Sequence, residues 1–324
     1  MNVLVTWRIP EAGLQKLQAE FEVTVYQGPQ PLNGEALIQH LEGMDGVLAL
    51  FHNRFTAEVI QRLSSVRVIS NMAVGYDNID IPSATARGIC VTNTPGILTE
   101  ATADLAWALL LAVSRRVVEG DQIMRRDQFP GWDPLYMLGA ELYGKTLGIV
   151  GMGRIGTAVA RRSKAWNMRI LYTSRSSKPA AKELGAERVP LEQLVQESDF
   201  ISIHTPLTEA TYHLFDEPLF HLMKPTAYLI NTARGPVINE EALVRALKDG
   251  QIAGAGLDVF ENEPHPHPEL PHLKNVVMTP HIGSATVETR NRMATMAAQN
   301  LIDCLHGKKP PAIVNPEVWQ KFNS

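Results

Sequence analysis

The chain has 324 residues, a formal net charge of −4 and 20% charged residues, with a sequence pI near 6.2. This length predicts about two domains. The basic residues are spread and balanced by acidic ones, which excludes a general affinity for nucleic acid or for membrane surfaces. The most apolar segment, residues 105–113, is too short to span a bilayer.

The N-terminus is typical of a strand rather than a signal peptide, because no basic leader precedes its apolar run. Cys90 and Cys304 are far apart in the sequence and predict neither a disulfide framework nor a metal site. We therefore expect a protein of the reducing cytoplasm that holds no metal. The Pro-His-Pro-His-Pro run at residues 264–268 resembles a metal-binding tract, but its alternating prolines favour a loop.

Residues 1–98 alternate between strand and helix patterns, which predicts a small parallel α/β domain. One helix pattern begins after Thr56, a plausible N-cap. The fourth strand is followed by Val74 and Gly75. Ligands of open α/β sheets bind beyond the carboxyl ends of the strands, so these two backbone N–H groups could face a ligand; a simple strand-to-helix turn explains the pattern equally well. The predicted strands are residues 2–7, 22–26, 46–50, 66–72 and 90–94.

A long apolar-faced helix is predicted to begin at Thr99, and its length suits a connector between domains or a subunit contact. Residues 127–143 follow as a long loop with several aromatic side chains. Loops of this length are usually functional or interfacial.

Residues 146–176 contain the most informative pattern of the chain. An apolar strand at 146–150 leads into glycines 151, 153 and 156, then into a helix at 155–166 and a second strand at 168–172. Such glycines allow a tight turn, the approach of a pyrophosphate and close helix packing, and the phosphates would lie at the positive end of the helix. The strand–turn–helix context favours a dinucleotide site over a plain structural turn.

The end of the second strand favours NADP(H) over NAD(H), which stays the weaker alternative. An NAD site normally has an acidic residue about 20 positions after the glycines, whereas this chain has Ser174, Arg175 and Ser176 there. An arginine with neighbouring hydroxyls binds a 2′-phosphate that a carboxylate would repel. A solvated helix face explains Arg161 and Arg162, but not the missing acid.

Four later strands each end in a polar cluster, at the sheet edge where a doubly wound fold builds its site. The strands are predicted at 199–204, 227–231, 254–259 and 276–279. Hydride chemistry on a carbonyl needs an acid/base, a group that tunes it, and a cation for the substrate. Arg234 can bind a carboxylate through two parallel N–H bonds, His281 titrates near neutral pH, and Glu263 could hydrogen-bond the imidazole and stabilise its cation.

These residues lie in stretches that resemble the D-2-hydroxyacid dehydrogenase family over nearly the whole chain, most closely its glyoxylate/hydroxypyruvate reductases. The matching stretches are the Gly-rich unit and residues 71–80, 204–214, 230–239, 256–264 and 279–286.

The resemblance implies an α/β fold of two Rossmann-like or flavodoxin-like parallel-sheet domains with a cleft between them. The NADP-binding domain, residues 99–286, would be inserted into a substrate domain made of residues 1–98 plus 287–324. Members of this family commonly form homodimers through the cofactor domain.

The resemblance also implies a role for each site residue. Arg234 would bind the substrate carboxylate, and His281 would be the acid/base, with Glu263 rather than the loop carboxylate Glu261 as its partner. The substrate would contact Val74, Gly75, Arg234 and His281, and Asp258 would touch the nicotinamide carboxamide. The implied cofactor contacts are Thr102, Gly151, Met152, Gly153, Arg154, Ile155, Gly156, Ser174, Arg175, Ser176, His204, Thr205, Pro206, Thr232, Ala233, Arg234, Asp258, His281 and Gly283.

The sequence thus predicts NADPH-dependent reduction of glyoxylate to glycolate and of hydroxypyruvate to D-glycerate. A relative acting on a bulkier 2-oxo acid, or on phosphite, is the alternative enzyme. Leu50, Phe51, Tyr76 and Trp132 are the candidate pocket residues that would decide between them. A dinucleotide-sensing protein like the transcriptional corepressors is the non-enzyme alternative, although such proteins usually have extra terminal segments.

Overall fold

The chain divides into two compact units in the computed structural model, which describes residues 1–319. The first unit contains Met1–Leu98 and the chain from Ser284 onward, and the second contains Thr99–Gly283. The boundary predicted from the sequence follows residue 286, whereas residues 284–286 belong to the first unit. Each unit is built on a parallel sheet, which confirms the predicted fold class.

The first unit has a five-stranded parallel sheet in the order β2-β1-β3-β4-β5. Each strand ends one or two residues before its predicted end, because the buried run continues past the last ladder pair; Thr6 and Thr94, for example, are fully buried outside the strands. Thr56 caps its helix by accepting a hydrogen bond from the N–H of Val59 at 3.3 Å. The elements are β1 (Asn2–Val5), α1 (Glu11–Gln18), β2 (Glu22–Val25), α2 (Gly34–Leu41), β3 (Gly46–Ala49), α3 (Ala57–Arg62), β4 (Val68–Asn71), α4 (Ile81–Ala86) and β5 (Cys90–Thr92).

The second unit has a seven-stranded parallel sheet. Its elements are α5 (Thr99–Ser114), α6 (Val117–Arg125), β6 (Thr146–Val150), α7 (Arg154–Arg162), β7 (Arg169–Thr173), α8 (Pro179–Glu183), β8 (Glu187–Arg188), α9 (Leu191–Glu197), β9 (Phe200–Ile203), α10 (Glu217–Leu222), β10 (Tyr228–Asn231), α11 (Glu240–Lys248), β11 (Gly254–Leu257) and β12 (Val276–Met278). The strand order is β12-β11-β10-β9-β6-β7-β8. The order reverses at β6, and doubly wound sheets bind their ligands at that switch point.

Helix α5 belongs to the core of the second unit. Eight of its residues are buried, and the indole of Trp107 donates to the carbonyl of Val159 at 3.0 Å. Helix α5 therefore covers the sheet, and a role as connector or subunit contact stays a prediction. Among residues 1–319, no helix is long and apolar enough to cross a membrane.

The last helix, α12 (Val287–Leu305), packs on the sheet of the first unit. Its backbone accepts a hydrogen bond from Ser70 Oγ at Ala297 (2.8 Å). This packing brings Cys304 to within 3.4 Å of Cys90, measured between the two Sγ atoms, and both are free, buried thiols. Their sequence separation gave no indication of this contact.

Candidate active site

The glycine turn after β6 has the geometry that a pyrophosphate requires. Gly151 has a φ of +99°, and a Cβ there would lie 2.7 Å from the backbone of His204. A Cβ on Gly156 would lie 2.2 Å from the carbonyl oxygen of Gly151, whereas one on Gly153 would meet no atom within 4 Å. The turn is thus closed on the protein side and open at Gly153, the N-cap of α7. These residues fit a dinucleotide phosphate at a helix N-terminus.

The other predicted residues of this turn differ in exposure. Met152 is buried in the core of the second unit, with 1% of its surface exposed. Arg154 is exposed at the start of α7, and Ile155 is half-buried. The side chain of Met152 is therefore enclosed, and this residue can contact a ligand only through its backbone.

The loop after β7 is held by basic side chains. Arg188, on the edge strand β8, donates to the carbonyl of Ser174 from Nη2 (2.8 Å) and Nε (3.2 Å), and to that of Arg175 at 3.3 Å. Ser174 Oγ donates to the carbonyl of Ser176 (2.6 Å), and Lys178 Nζ donates to Ser176 Oγ (3.0 Å). The sequence singled out the serines and Arg175 but missed Arg188, which lies 14 residues further along the chain.

The ring of His204 is oriented by a hydrogen bond within its own strand end. Its Nε2 lies 2.8 Å from Ser202 Oγ, and its Nδ1 is buried without a hydrogen-bond partner among the described residues. Burial lowers the pKa of this imidazole to about 3. The backbone of His204 packs against Gly151, and the cofactor contact of this residue stays a prediction.

The remaining predicted cofactor residues follow β9, β10 and β12 or lie on α5. Thr205 is half-buried and Pro206 is exposed. Thr232 is 8% exposed, and its hydroxyl has no hydrogen-bond partner within the described part of the chain, which fits a contact with a ligand. Ala233 is half-buried, and Thr102 Oγ1 donates to the carbonyl of Gly283 at 3.1 Å.

Asp258 organises the loop that carries His281. Its carboxylate accepts hydrogen bonds from the N–H groups of Ile282 and Gly283, both at 2.8 Å, and from Thr279 Oγ1 at 2.6 Å. Asp258 is 1% exposed, and burial raises the pKa of its carboxyl above the ordinary value. The contact of Asp258 with the nicotinamide carboxamide, which the resemblance implies, stays a prediction.

His281 and Glu263 form a hydrogen-bonded pair. His281 Nδ1 lies 2.8 Å from Glu263 Oε2, and the two side chains are 26% and 27% exposed. The other Glu263 oxygen accepts from the N–H of Phe260 at 3.2 Å. Because Nδ1 is the ring atom that bonds to Glu263, this hydrogen bond fixes the orientation of the imidazole.

The turn that carries Arg234 packs directly on the loop that carries Glu263. A Cβ on Gly235 would lie 1.9 Å from the backbone of Phe260, so only glycine fits there. Asn231 shapes the turn by donating to the carbonyl of Arg234 (2.9 Å) and accepting from the N–H of Ala233 (3.0 Å). Arg234, Glu263 and His281 thus follow the three adjacent strands β10, β11 and β12.

In the first unit, two asparagines fix the loop after β4. Asn93 Nδ2 donates to the carbonyl of Val74 at 2.8 Å, and Asn71 Nδ2 donates to that of Gly75 at 3.0 Å. These bonds orient the peptide groups on either side of Gly75. Neither asparagine was predicted as a site residue, although Asn71 opens the stretch that resembled the family.

The four candidate pocket residues differ in exposure. Leu50 is half-buried, while Phe51 and Tyr76 expose 38% and 45% of their surface. Trp132, in the second unit, is 85% exposed. Among residues 1–319, no group of three or more His, Cys, Asp or Glu side chains is arranged to hold a metal ion.

Comparison with known proteins decides the family. The model described as D-isomer specific 2-hydroxyacid dehydrogenase, NAD binding domain, matches residues 107–283, more than half of the chain. A glyoxylate reductase from Pyrococcus furiosus is 52% identical over 322 residues, which cover 98% of this chain and 96% of the relative. The chain belongs to the D-2-hydroxyacid dehydrogenase family. This confirms the resemblance drawn from the motifs.

Two solved structures show the same fold. The TT0316 protein from Thermus thermophilus is 47% identical, with a TM-score of 0.91, and the match covers 97% of this chain and 100% of that one. An NADPH-dependent glyoxylate/hydroxypyruvate reductase from Sinorhizobium meliloti, solved with NADP and malonate, is 33% identical with a TM-score of 0.87, and the match covers 98% and 97%. A nicotinamide dinucleotide is therefore the cofactor class of this D-2-hydroxyacid dehydrogenase.

The imidazole of His204 should stay neutral across the working pH range. In NMR spectra recorded between about pH 5 and 8, its ring resonances should not titrate, because burial opposes the cation; H204Q identifies these resonances by their loss. The unfolded chain takes up this proton near about pH 6.5, so His204 lowers stability as the pH falls below that value. A ring that titrates near pH 6.5 in the folded protein would contradict the burial described above.

Proposed function

We propose that this dehydrogenase reduces small 2-oxo acids with NADPH, converting glyoxylate to glycolate and hydroxypyruvate to D-glycerate. The observation that carries the proposal is the 2.8 Å hydrogen bond between His281 and Glu263. These residues follow β12 and β11, and β11 lies beside β10, which precedes Arg234. The 52% identity to a glyoxylate reductase supports the substrate class.

In this proposal each side chain has a separate task. Arg234 binds the carboxylate of the 2-oxo acid through two parallel N–H bonds, and the N–H groups of Val74 and Gly75 bind the same group. His281 donates the Nε2 proton to the carbonyl oxygen as it becomes an alkoxide. Glu263 holds the ring in the orientation that directs Nε2 to the substrate and stabilises the imidazolium. The dinucleotide, when bound, supplies the hydride.

The loop after β7 supports NADPH over NADH. It presents Ser174, Arg175 and Ser176, and Lys178 and Arg188 add two further cations. A 2′-phosphate would meet positive charge and hydroxyl donors there, in place of the carboxylate that binds the 2′-hydroxyl of NAD. NAD(H) stays the weaker alternative.

A homodimer is the proposed assembly, and exposed apolar side chains support it. None of the residues of α6 is buried, and Trp132, Leu135 and Leu138 in the following loop are 85%, 78% and 62% exposed. Apolar surface on this scale marks an interface, and a second copy of this chain is the occupant that the family resemblance implies.

Light scattering should give a dimer, and L135E/L138E should shift it to monomer; a wild-type monomer contradicts the proposal. The cytoplasmic location also stays a prediction.

Initial rates of NADPH oxidation with glyoxylate, hydroxypyruvate, pyruvate and a bulky aromatic 2-oxo acid test the function. The two small substrates should turn over fastest, and R234A should lower kcat/KM by about 10²- to 10³-fold, because the substrate carboxylate loses its charge-assisted partner. R245A is the matched control, since Arg245 pairs with Glu241 at the surface of α11. Fast turnover of the bulky acid alone would overturn the substrate, and unchanged kinetics of R234A would overturn the role of that arginine.

Cofactor preference is tested by R175D, measured as the ratio of kcat/KM for NADPH to that for NADH. The ratio should fall about 10- to 100-fold, the equivalent of losing a charge-assisted hydrogen bond to the 2′-phosphate. Arg161 is exposed on α7, so R161D provides a control with the same change of charge. Equal ratios for wild type and R175D would show that this loop does not read the 2′-phosphate.

The alternatives make different predictions in the same assays. Phosphite oxidation with NADP⁺, in an enzyme silent on all four 2-oxo acids, would favour the phosphite dehydrogenase alternative. Tight cofactor binding without any turnover would favour the dinucleotide-sensing protein.

A further inference from the structure

A buried carboxylate outside the proposed catalytic residues holds both ends of the loop that carries Glu263. Glu240 is the first residue of α11 and is 5% exposed. Its Oε1 accepts from the N–H of Glu261 at 2.7 Å, and its Oε2 accepts from the N–H of His267 at 2.8 Å. Glu263 lies between these two points of attachment. One side chain therefore fixes the segment from residue 261 to residue 267.

Glu261 returns the contact and extends it. Its Oε2 accepts from the N–H of Glu240 at 3.2 Å, so each glutamate binds the backbone of the other and Glu261 also caps α11. Its Oε1 is hydrogen-bonded to His213 Nε2. The N–H of His213 donates to the carbonyl of Pro236 at 2.8 Å, two residues after Arg234. The network therefore joins the turn of Arg234 to the loop of Glu263.

The backbone of His213 provides independent evidence of constraint. Its φ is +48°, a left-handed conformation that non-glycine residues adopt only when their surroundings enforce it. Its ring is stacked on that of Tyr212, with ring centroids 4.0 Å apart, and is 26% exposed beside the Glu261 side chain at 20%. The His213–Glu261 pair is thus less exposed than the surface pair of Lys248 and Glu269, in which each side chain is 51% exposed.

The charge balance around Glu240 explains why its hydrogen bonds matter. The titratable groups that face it are Glu261 and His267, and Glu241 lies beyond His267, whose Nε2 it contacts at 3.0 Å. The two carboxylates repel each other, so backbone N–H groups supply most of the compensation. Burial raises the pKa of Glu240 above the ordinary value, so this carboxyl takes up a proton at a higher pH than an exposed glutamate, and the protonated form is a weaker acceptor.

We propose that Glu240, acting with Glu261 and His213, is a positioning residue that holds Glu263 in hydrogen-bond contact with His281. It touches neither substrate nor cofactor in this proposal and acts through the loop. The inference rests on the proposed function for its kinetic readout, but its effect on His281 exists in the free protein.

The test is E240Q, assayed as reduction of glyoxylate across a range of pH. Glutamine has nearly the same shape, but its amide group turns one of the two acceptors into a donor, which leaves one backbone N–H without a partner. We expect kcat to fall about tenfold, as a small displacement of a catalytic group does, with KM changed less than about twofold because Arg234 is untouched. The alkaline limb of the kcat/KM profile should move to lower pH, because a displaced Glu263 supports the imidazolium less.

Glu217 provides the matched control, because it is the first residue of α10 but its side chain is 59% exposed and pairs with Arg245. E217Q should keep the wild-type kcat and pH profile. Thermal unfolding and NADPH binding by fluorescence report whether each variant is folded. If E240Q fails to fold, H213N tests the same network from its half-exposed end, with the same expected fall in kcat and shift of the alkaline limb.

NMR titration of the His281 ring in the ligand-free protein separates the two proposals. If E240Q moves that titration to lower pH while wild type reduces none of the 2-oxo acids, the proposed function fails and the positioning role stands. A folded E240Q with wild-type kcat, pH profile and ring titration overturns the positioning role and leaves the function intact. A lower melting temperature without any change in these three readouts also overturns it, since Glu240 would then be purely structural.

Discussion

The candidate site depends on the hydrogen bonds that the buried carboxylate of Asp258 accepts. Three donors from the loop after β12 bind its two oxygens. Burial of a lone carboxylate costs several kcal/mol, and hydrogen bonds to the charged group offset that cost. These hydrogen bonds hold His281 at a φ of +51°. This strained backbone conformation would relax if the bonds were lost. His281 is therefore presented to Glu263 by a carboxylate that does not take part in the pair.

The elements of the site were visible in the sequence because their signals are local. Three glycines between a strand and a helix, and polar residues at successive strand ends, need only the rule that ligands bind at the carboxyl edge of a parallel sheet. The order of the strands then makes Arg234, Glu263 and His281 neighbours along that edge. For the same reason the lengths of the strands were overestimated, since burial continues where ladder pairing stops.

Tertiary partners could not be predicted in this way. Asp258 and Glu240 are ordinary acidic residues in the sequence, and only the fold reveals that they are 1% and 5% exposed and bound to loop amides. The ring of His204 lies in a stretch typical of a cofactor contact, yet packing rather than sequence decides which way it points. Arg188 holds the loop at Ser174 across the pairing of β7 with β8, a contact that depends on strand register.

Asp258, Glu240 and Glu263 differ in burial, and their burial separates their tasks. Asp258 and Glu240 are almost fully enclosed and bind backbone N–H groups, so they fix loops. Glu263 is 27% exposed and is hydrogen-bonded to the imidazole of His281, and in the proposed function it stabilises the imidazolium. If Glu263 and Glu240 exchanged environments, the carboxylate beside His281 would be the one held by backbone N–H groups. A carboxylate that uses both oxygens for backbone N–H groups, as Glu240 does, fixes a loop, whereas Glu263 keeps one oxygen for the ring of His281.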